Sequence, residues 1–365
     1  MTGRERFLTA INNGRPDRLP CQVHSWMPYY LKTYLNGIDQ FEAYEYFNMD
    51  PVIYCGGQYL YKPEASAKWE VSHKNGTPNA EGEYDWASTV KTPKGVLTCK
   101  GSTNKFTSWE TEHIVKNEKD FELFIEFYPE PYSCDWTWVR DAKKRIGDKG
   151  ITRGCSYAYG QSAPWQTLCC LMGTENTIFK AFDEPRWTHY ALDAICKKYE
   201  RAIEVSGKIE LDLVETGGGA GSSTVISPAM HREFCLPYDK RQHAALKAQG
   251  AKIVYHLCGG HMPLLETVAE NGADCLETMT PPAMGADCNL AQAKRRVGNK
   301  LAFIGGFDQN AGFEKGNPAL IKKMVRELFE ACPNGGYICS PSDHFFFGNP
   351  ENIKAFANAC KNCKY

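Results

Sequence analysis

The sequence predicts a single (β/α)8 barrel of the TIM type, α/β in class, with a β-hairpin insertion after its second strand. Three observations predict it. Eight short runs rich in β-forming residues recur along the chain, most closed by Gly, Pro or Ser. Amphipathic stretches lie between most of them. One segment, at about 58–113, breaks the rhythm. Strands alternating with helices imply right-handed parallel crossovers, and eight such units imply a closed barrel rather than an open doubly wound sheet. The 365 residues would suit two ordinary domains or one large barrel. The alternation, interrupted only by that inserted segment, assigns residues 1–365 to one barrel.

The elements follow in order. "LPCQVH" ends at His24 and "DPVIYCGG" at Gly57. "GITRGCSYAYG", "IELDLVETGGG", "AKIVYHLCGG", "ADCLETMTPP", "LAFIGGFDQ" and "GGYICSPSDHF" complete the eight. Among the helices, "SPAMHREFCLPYDKRQHAALKAQG" opens with Ser227 as N-cap and Pro228 in the first turn, and Gly250 closes it. "NPALIKKMVRELFEACPNGG" opens at Asn317. The inserted segment carries Asn-Gly, Glu-Gly and Lys-Gly turn signals between short alternating runs, the pattern of antiparallel hairpins. It is expected to fold over the barrel mouth, as part of a lid or of a homodimer contact.

Composition excludes several classes. The formal net charge is -1, and no basic stripe would attract nucleic acid. No apolar run has membrane-spanning length, and the N-terminus lacks the apolar segment of a secretory signal. A cytoplasmic protein is expected. Its 16 cysteines are then reduced, most of them acting as small buried apolar residues. Cys360 and Cys363 have zinc-knuckle spacing, but no second pair lies nearby.

Barrels of this type carry reactive groups at the C-terminal ends of their strands. Those ends present His24 and Trp26, Tyr54 and Cys55, Tyr157 and Tyr159, Glu215, His256 and Cys258, Glu277, Asp308, and Asp343 with His344. The set is polar, aromatic and rich in metal-capable ligands. It includes no arginine, whereas a polyanion pocket would be expected to hold several guanidinium forks. His256-x-Cys258, with two glycines directly behind, forms two-thirds of a metal site. The plain alternatives are a strand-end histidine beside a buried thiol, glutamates paired with barrel lysines, a helix-capping Asp308, and core roles for Trp26, Trp136, Trp138 and Trp165. "ETGGGAG" lacks the Lys-Ser/Thr of a phosphate loop. Its glycines are read as letting backbone approach a large flat ligand.

The opening "RERFLTAINNGRPDRLP", the "ISPAMHREFCLPYDKR" helix start, "HLCGG" and "GGYICSPSDHFFFGNPENIKAF" resemble the uroporphyrinogen decarboxylase superfamily, with the motifs in the same order along the whole chain. The resemblance implies a single (β/α)8 barrel and one of two activities: porphyrinogen decarboxylation, or methyl transfer to or from corrinoid proteins. The decarboxylase branch has arginines where Ser25 and Tyr29 stand, an aspartate near "IYCGG" at Gly57, and a tyrosine where "APWQTLCCLMG" offers cysteines. Uroporphyrinogen decarboxylation is therefore not expected.

In the thiol-using methyltransferases the zinc ligands resemble His-x-Cys after the fifth strand plus a cysteine after the eighth. His256 and Cys258 match the first two. By offset from "PENIKAF" the third falls near Asp343, with His344 and Cys339 as alternatives. On this resemblance His256, Cys258 and Asp343 are the expected metal ligands. Glu215, Glu277 and His344 are the expected catalytic groups, and His24, Trp26, Tyr54, Tyr159 and Asp308 the expected substrate contacts. The expected cofactors are zinc and a cobalamin carried by a separate corrinoid protein. The expected reaction is zinc-dependent transfer of a methyl group from a small O-methyl donor, an aromatic ether among the candidates, to that protein. The alternatives are transfer from methylcobalamin to a thiol or pterin, and a non-catalytic metal- or tetrapyrrole-binding role.

Overall fold

The computed structural model describes all 365 residues. Its strands are β1 (Val52–Tyr54), β2 (Gln58–Tyr61), β3 (Glu70–Asn75), β4 (Tyr84–Thr92), β5 (Gly95–Thr103), β6 (Ser108–Glu112), β7 (Pro131–Asp135), β8 (Ile151–Cys155), β9 (Leu213–Gly217), β10 (Ile253–His256), β11 (Cys275–Thr278), β12 (Ala302–Phe307) and β13 (Tyr337–Pro341). Seven of them, in the order β1-β8-β9-β10-β11-β12-β13, form one parallel curled sheet with helices between successive strands. Its strands from β9 to β13 are almost entirely buried, as expected when both faces of a parallel sheet are covered.

The ladder is not fully closed. The first expected strand, "LPCQVH", lies parallel to β13 but joins it through a single bridge, Cys21 to Cys339. Two hydrogen bonds hold it: Gln22 N to Cys339 O at 3.0 Å and Cys339 N to Pro20 O at 2.9 Å. Pro20 has no N–H to extend the ladder. On its other flank the Tyr44 hydroxyl donates to Val23 O at 3.3 Å. The molecule is thus a seven-stranded partial barrel completed by one bridged segment.

Between β1 and β8 the chain leaves the parallel sheet. β2 pairs antiparallel with β7, and β3-β4-β5-β6 form a separate antiparallel sheet. β4 and β5 meet at Thr92 opposite Gly95, with Pro93 and Lys94 between them. The β5–β6 turn is set by Asn104, whose side-chain oxygen accepts from Phe106 N at 2.8 Å and Thr107 N at 3.0 Å. This places the Phe106 ring 4.7 Å from Tyr29, 5.1 Å from Phe346 and 5.5 Å from Phe347. The tip of the small sheet therefore packs on the segments that follow the bridged strand and β13. No helix is long and apolar enough to cross a membrane.

Candidate functional site

Strand register brings the site together. Side chains alternate between the two faces of a strand, and matching positions of neighbouring parallel strands share a face. Tyr54 pairs with Arg153, Cys155 with Glu215, and His256 with Glu277. The residue before His256 faces the other way: Tyr255 donates to Asp239 at 2.7 Å behind the sheet.

Arg153 is fully buried at the centre. Its Nη1 donates to Glu277 Oε2 at 2.8 Å, and its Nη2 donates to Glu277 Oε1 and, at 2.6 Å, to Glu215 Oε2. Its Nε reaches Glu215 Oε2 at 3.2 Å, and its Nη2 lies 3.4 Å from His24 Nδ1. Burial alone would push both carboxyl pKa values up. The guanidinium, and after it His24, outweighs burial, holding Glu215 at about 2 and Glu277 well below the usual range. Both glutamates are ionised.

The two carboxylates differ in what they have left to offer. Both Glu277 oxygens are engaged, since Oε1 also accepts from His256 Nδ1 at 2.9 Å. Because a carboxylate can only accept, this bond places the His256 proton on Nδ1 and leaves Nε2 for another partner. On Glu215, Oε2 takes Arg153 and, at 2.7 Å, the Tyr54 hydroxyl, while Oε1 has no protein partner. The Tyr54 hydroxyl also lies 3.2 Å from Cys155 Sγ.

Beside this brace, ligand-capable atoms of His256, Cys258 and Asp343 lie within 4.8 Å of one another. The Cys258 loop nests against its neighbour because glycines allow it. A Cβ on Gly259 would stand 2.4 Å from Thr224 Oγ1, and one on Gly260 would stand 2.5 Å from Ser223 Oγ. On the facing loop, a Cβ on Gly219 would lie 2.9 Å from Cys258 Sγ, and one on Gly217 would lie 2.2 Å from His256 O. At Gly217 and Gly219 the glycine run serves close packing on the His256–Cys258 loop.

A second group, His24, Glu215, His256 and Glu277, is equally compact, but the Arg153 guanidinium already supplies its cation. Of the alternative third ligands, Cys339 is a fully buried free thiol, paired with Gly305 and so on the face of the sheet opposite Glu277. His344 Nδ1 lies 3.1 Å from Ser25 Oγ, with its ring centroid 4.4 Å from that of His24 in an edge-to-face arrangement.

The remaining expected residues divide. His24 and Tyr54 stand in the constellation. Trp26 does not: it stacks on Phe47 at 5.2 Å in the core. Tyr159 packs against Phe124 and Tyr128, at 5.1 and 5.5 Å. Asp308 caps the turn after β12, accepting from Ala311 N at 2.9 Å. The residue missed by reading strand ends is Arg153, which lies two positions before the end of β8. A signal was present: a charged residue inside a strand buried at four of its five positions, with two nearby strand-end glutamates lacking a cation.

Fold and site together define a partial α/β barrel whose mouth carries a buried Arg–Glu–Glu brace beside a His–Cys–Asp trio. The family model of uroporphyrinogen decarboxylase (URO-D) matches residues 134–363, and the chain belongs to that family. It is 24% identical over 202 residues to the methylated-thiol–coenzyme M methyltransferase of Methanosarcina mazei, covering 55% of this chain and 51% of that protein. It is 29% identical over 219 residues to a uroporphyrinogen decarboxylase of Pseudomonas putida, covering 54% of this chain and 56% of that one. The chain thus spans about half the length of these curated relatives. A solved methyltransferase from Methanosarcina mazei superposes with a TM-score of 0.65 at 14% identity, over 98% of both chains, a likeness of fold.

Proposed function

We propose that this chain is a zinc-dependent methyltransferase that moves a methyl group from a small O-methyl donor, an aromatic ether in the first instance, to a corrinoid protein. The observation that carries the reading is the convergence of His256, Cys258 and Asp343 within 4.8 Å. Imidazole nitrogen, thiolate sulfur and carboxylate oxygen suit a borderline-soft divalent ion such as zinc, and three protein ligands leave a fourth position for substrate. The methyltransferase named among the relatives supports the choice of reaction.

Zinc bound there supplies a Lewis acid for the departing oxygen, and the partner's corrinoid supplies the methyl acceptor. The rest falls to this chain. Glu277 holds His256 in the tautomer that offers Nε2. Arg153 fixes both glutamates and keeps them charged without a free proton. His24, Tyr54 and His344 line the approach, and their rings hold a planar donor by stacking. Decarboxylation of an octacarboxylate finds less support, because the guanidinium beside the trio is wholly engaged by Glu215, Glu277 and His24.

The test is elemental analysis of protein prepared with added zinc and without chelators. The expected result is stoichiometric zinc in the wild type and its loss in His256→Ala and Cys258→Ser. A metal-free wild type would end this reading in favour of a non-catalytic role. If methyl ethers are inert while a thiol accepts methyl from a methylated corrinoid protein, the reverse half-reaction is the activity.

A further inference from the structure

We propose that Glu215 determines donor specificity: its free Oε1 accepts a hydrogen bond from an O–H or N–H group on the methyl donor, and its charge turns anionic donors away. The inference rests on the methyl-transfer reading of this site and names the class of molecule the site takes. It starts from the unequal engagement of the two glutamates. Glu277 has both oxygens bonded to Arg153 and His256. Glu215 has Oε2 saturated by Arg153 and Tyr54, and its other oxygen meets no protein group. The side chain keeps 13% exposure where Glu277 keeps 3%, so the free oxygen faces accessible space.

An ionised carboxylate offers several acceptor sites and no donor. A group matched to it must bring a hydrogen. The charge balance points the same way. Two carboxylates face one guanidinium with His24 and His256 beside them, and all three guanidinium nitrogens are directed at protein acceptors. A donor carrying a carboxylate or sulfonate would bring a third negative charge with no free guanidinium to receive it. Tyr54 does not change this, because its hydroxyl is held by Glu215 and lies beside Cys155. The favoured molecule is therefore an uncharged methyl ether with a neighbouring hydroxyl, and a protonated methylamine offers the same chemistry.

The experiment is binding, read by ligand-observed NMR on metal-free and on zinc-loaded protein. The probes are 2-methoxyphenol, 1,2-dimethoxybenzene, 2-methoxybenzoate and dimethylammonium, tested on wild type, Glu215→Gln and Glu215→Asp. Thermal melts confirm that each variant folds. The wild type is expected to bind 2-methoxyphenol about tenfold more tightly than the dimethoxy and benzoate probes, the range one hydrogen bond to a charged group spans. Glu215→Gln is expected to lose the discrimination against benzoate. Glu215→Asp, which keeps the charge and withdraws the oxygen, is expected to exclude benzoate yet lose the gain from the hydroxyl. Tighter binding of dimethylammonium than of 2-methoxyphenol would assign the same acceptor to an amine donor. Benzoate binding as tightly as 2-methoxyphenol in the wild type, or a preference unchanged in Glu215→Gln, would overturn the proposal. Because the metal-free series reads the Glu215 pocket alone, absence of zinc would end the methyltransferase reading without deciding this one.

Discussion

Arg153 is the residue on which the others depend. It balances two carboxylates that burial would otherwise neutralise. Replacing it with Met leaves two negative charges in the barrel, one of them almost wholly enclosed. Urea unfolding of Arg153→Met should show a loss of about 3–5 kcal/mol, the cost of breaking a buried pair from one side. The additional changes Glu215→Gln and Glu277→Gln should recover part of it. A second prediction concerns Asp239, behind β10. Burial raises its pKa to about 7, against a smaller downward pull from the Tyr255 hydrogen bond, and its Oδ1 has no partner. The folded chain therefore holds a proton that the unfolded chain releases near pH 4. Stability from this group is present below that pH and is lost as pH rises to about 7. Asp239→Asn should remove the decline, so that its stability relative to wild type grows by on the order of 4 kcal/mol between pH 4 and 7. The strand-end residues His24, Tyr54, Glu215, His256 and Glu277 were legible because strand termini point to a barrel's reactive face. Arg153 was not legible from its position alone, since a terminus-only reading passes over interior positions. Trp26, Tyr159 and Asp308 sit at strand ends too, but their neighbours are rings and a helix cap, and one sequence does not reveal neighbours.

At the scale of elements, the glycine run after β9 makes a specific claim. Gly219 has an ordinary negative φ, so Gly219→Ala adds volume without backbone strain. That volume falls 2.9 Å from Cys258 Sγ. The variant should fold with an unchanged melt yet bind zinc at least about tenfold more weakly, as measured by competition with a chromogenic chelator, a displaced ligand costing at least that much. The turns of the inserted segment were readable in its Glu81-Gly82 and Lys94-Gly95 pairs but not in Asn75-Gly76, which continues the ladder, Asn75 pairing with Trp86 and Gly76 N donating to Asp85 O. The docking of Phe106 on Tyr29, Phe346 and Phe347 was not, because it joins segments 77 and 240 positions away in the sequence. If this tip guides a partner, Phe106→Ala should weaken association with a corrinoid protein while leaving zinc content unchanged. Co-purification and elemental analysis of the same samples would show both.

For the whole molecule, alternation of strands and helices foretold the architecture, and seven of the expected strands are laddered in sequence order. The incomplete closure was not foretold, since the number of bridges a segment makes depends on its neighbour's register. At this scale the reaction itself is at stake. Methyl transfer should require a separate corrinoid protein, so turnover of a methyl ether by this chain alone, with no corrinoid present, would refute the proposed function. Coproporphyrinogen formation at enzyme-like rates would reinstate decarboxylation.

The single bridge between Cys21 and Cys339 has a bearing on motion. It joins the segment ending at His24 to the rest of the sheet with two hydrogen bonds, whereas β12 and β13 share a five-residue register. Local opening follows the weakest cooperative unit. In deuterated buffer the Gln22 amide should exchange well before those of Val254 or Ile304. Each such opening carries His24 away from Glu277, 3.4 Å distant when the seam is shut, and with it Ser25 away from His344. If the Gln22 amide exchanges first, this seam is the wall of the mouth that opens most often, and a bulky visitor would enter past His24.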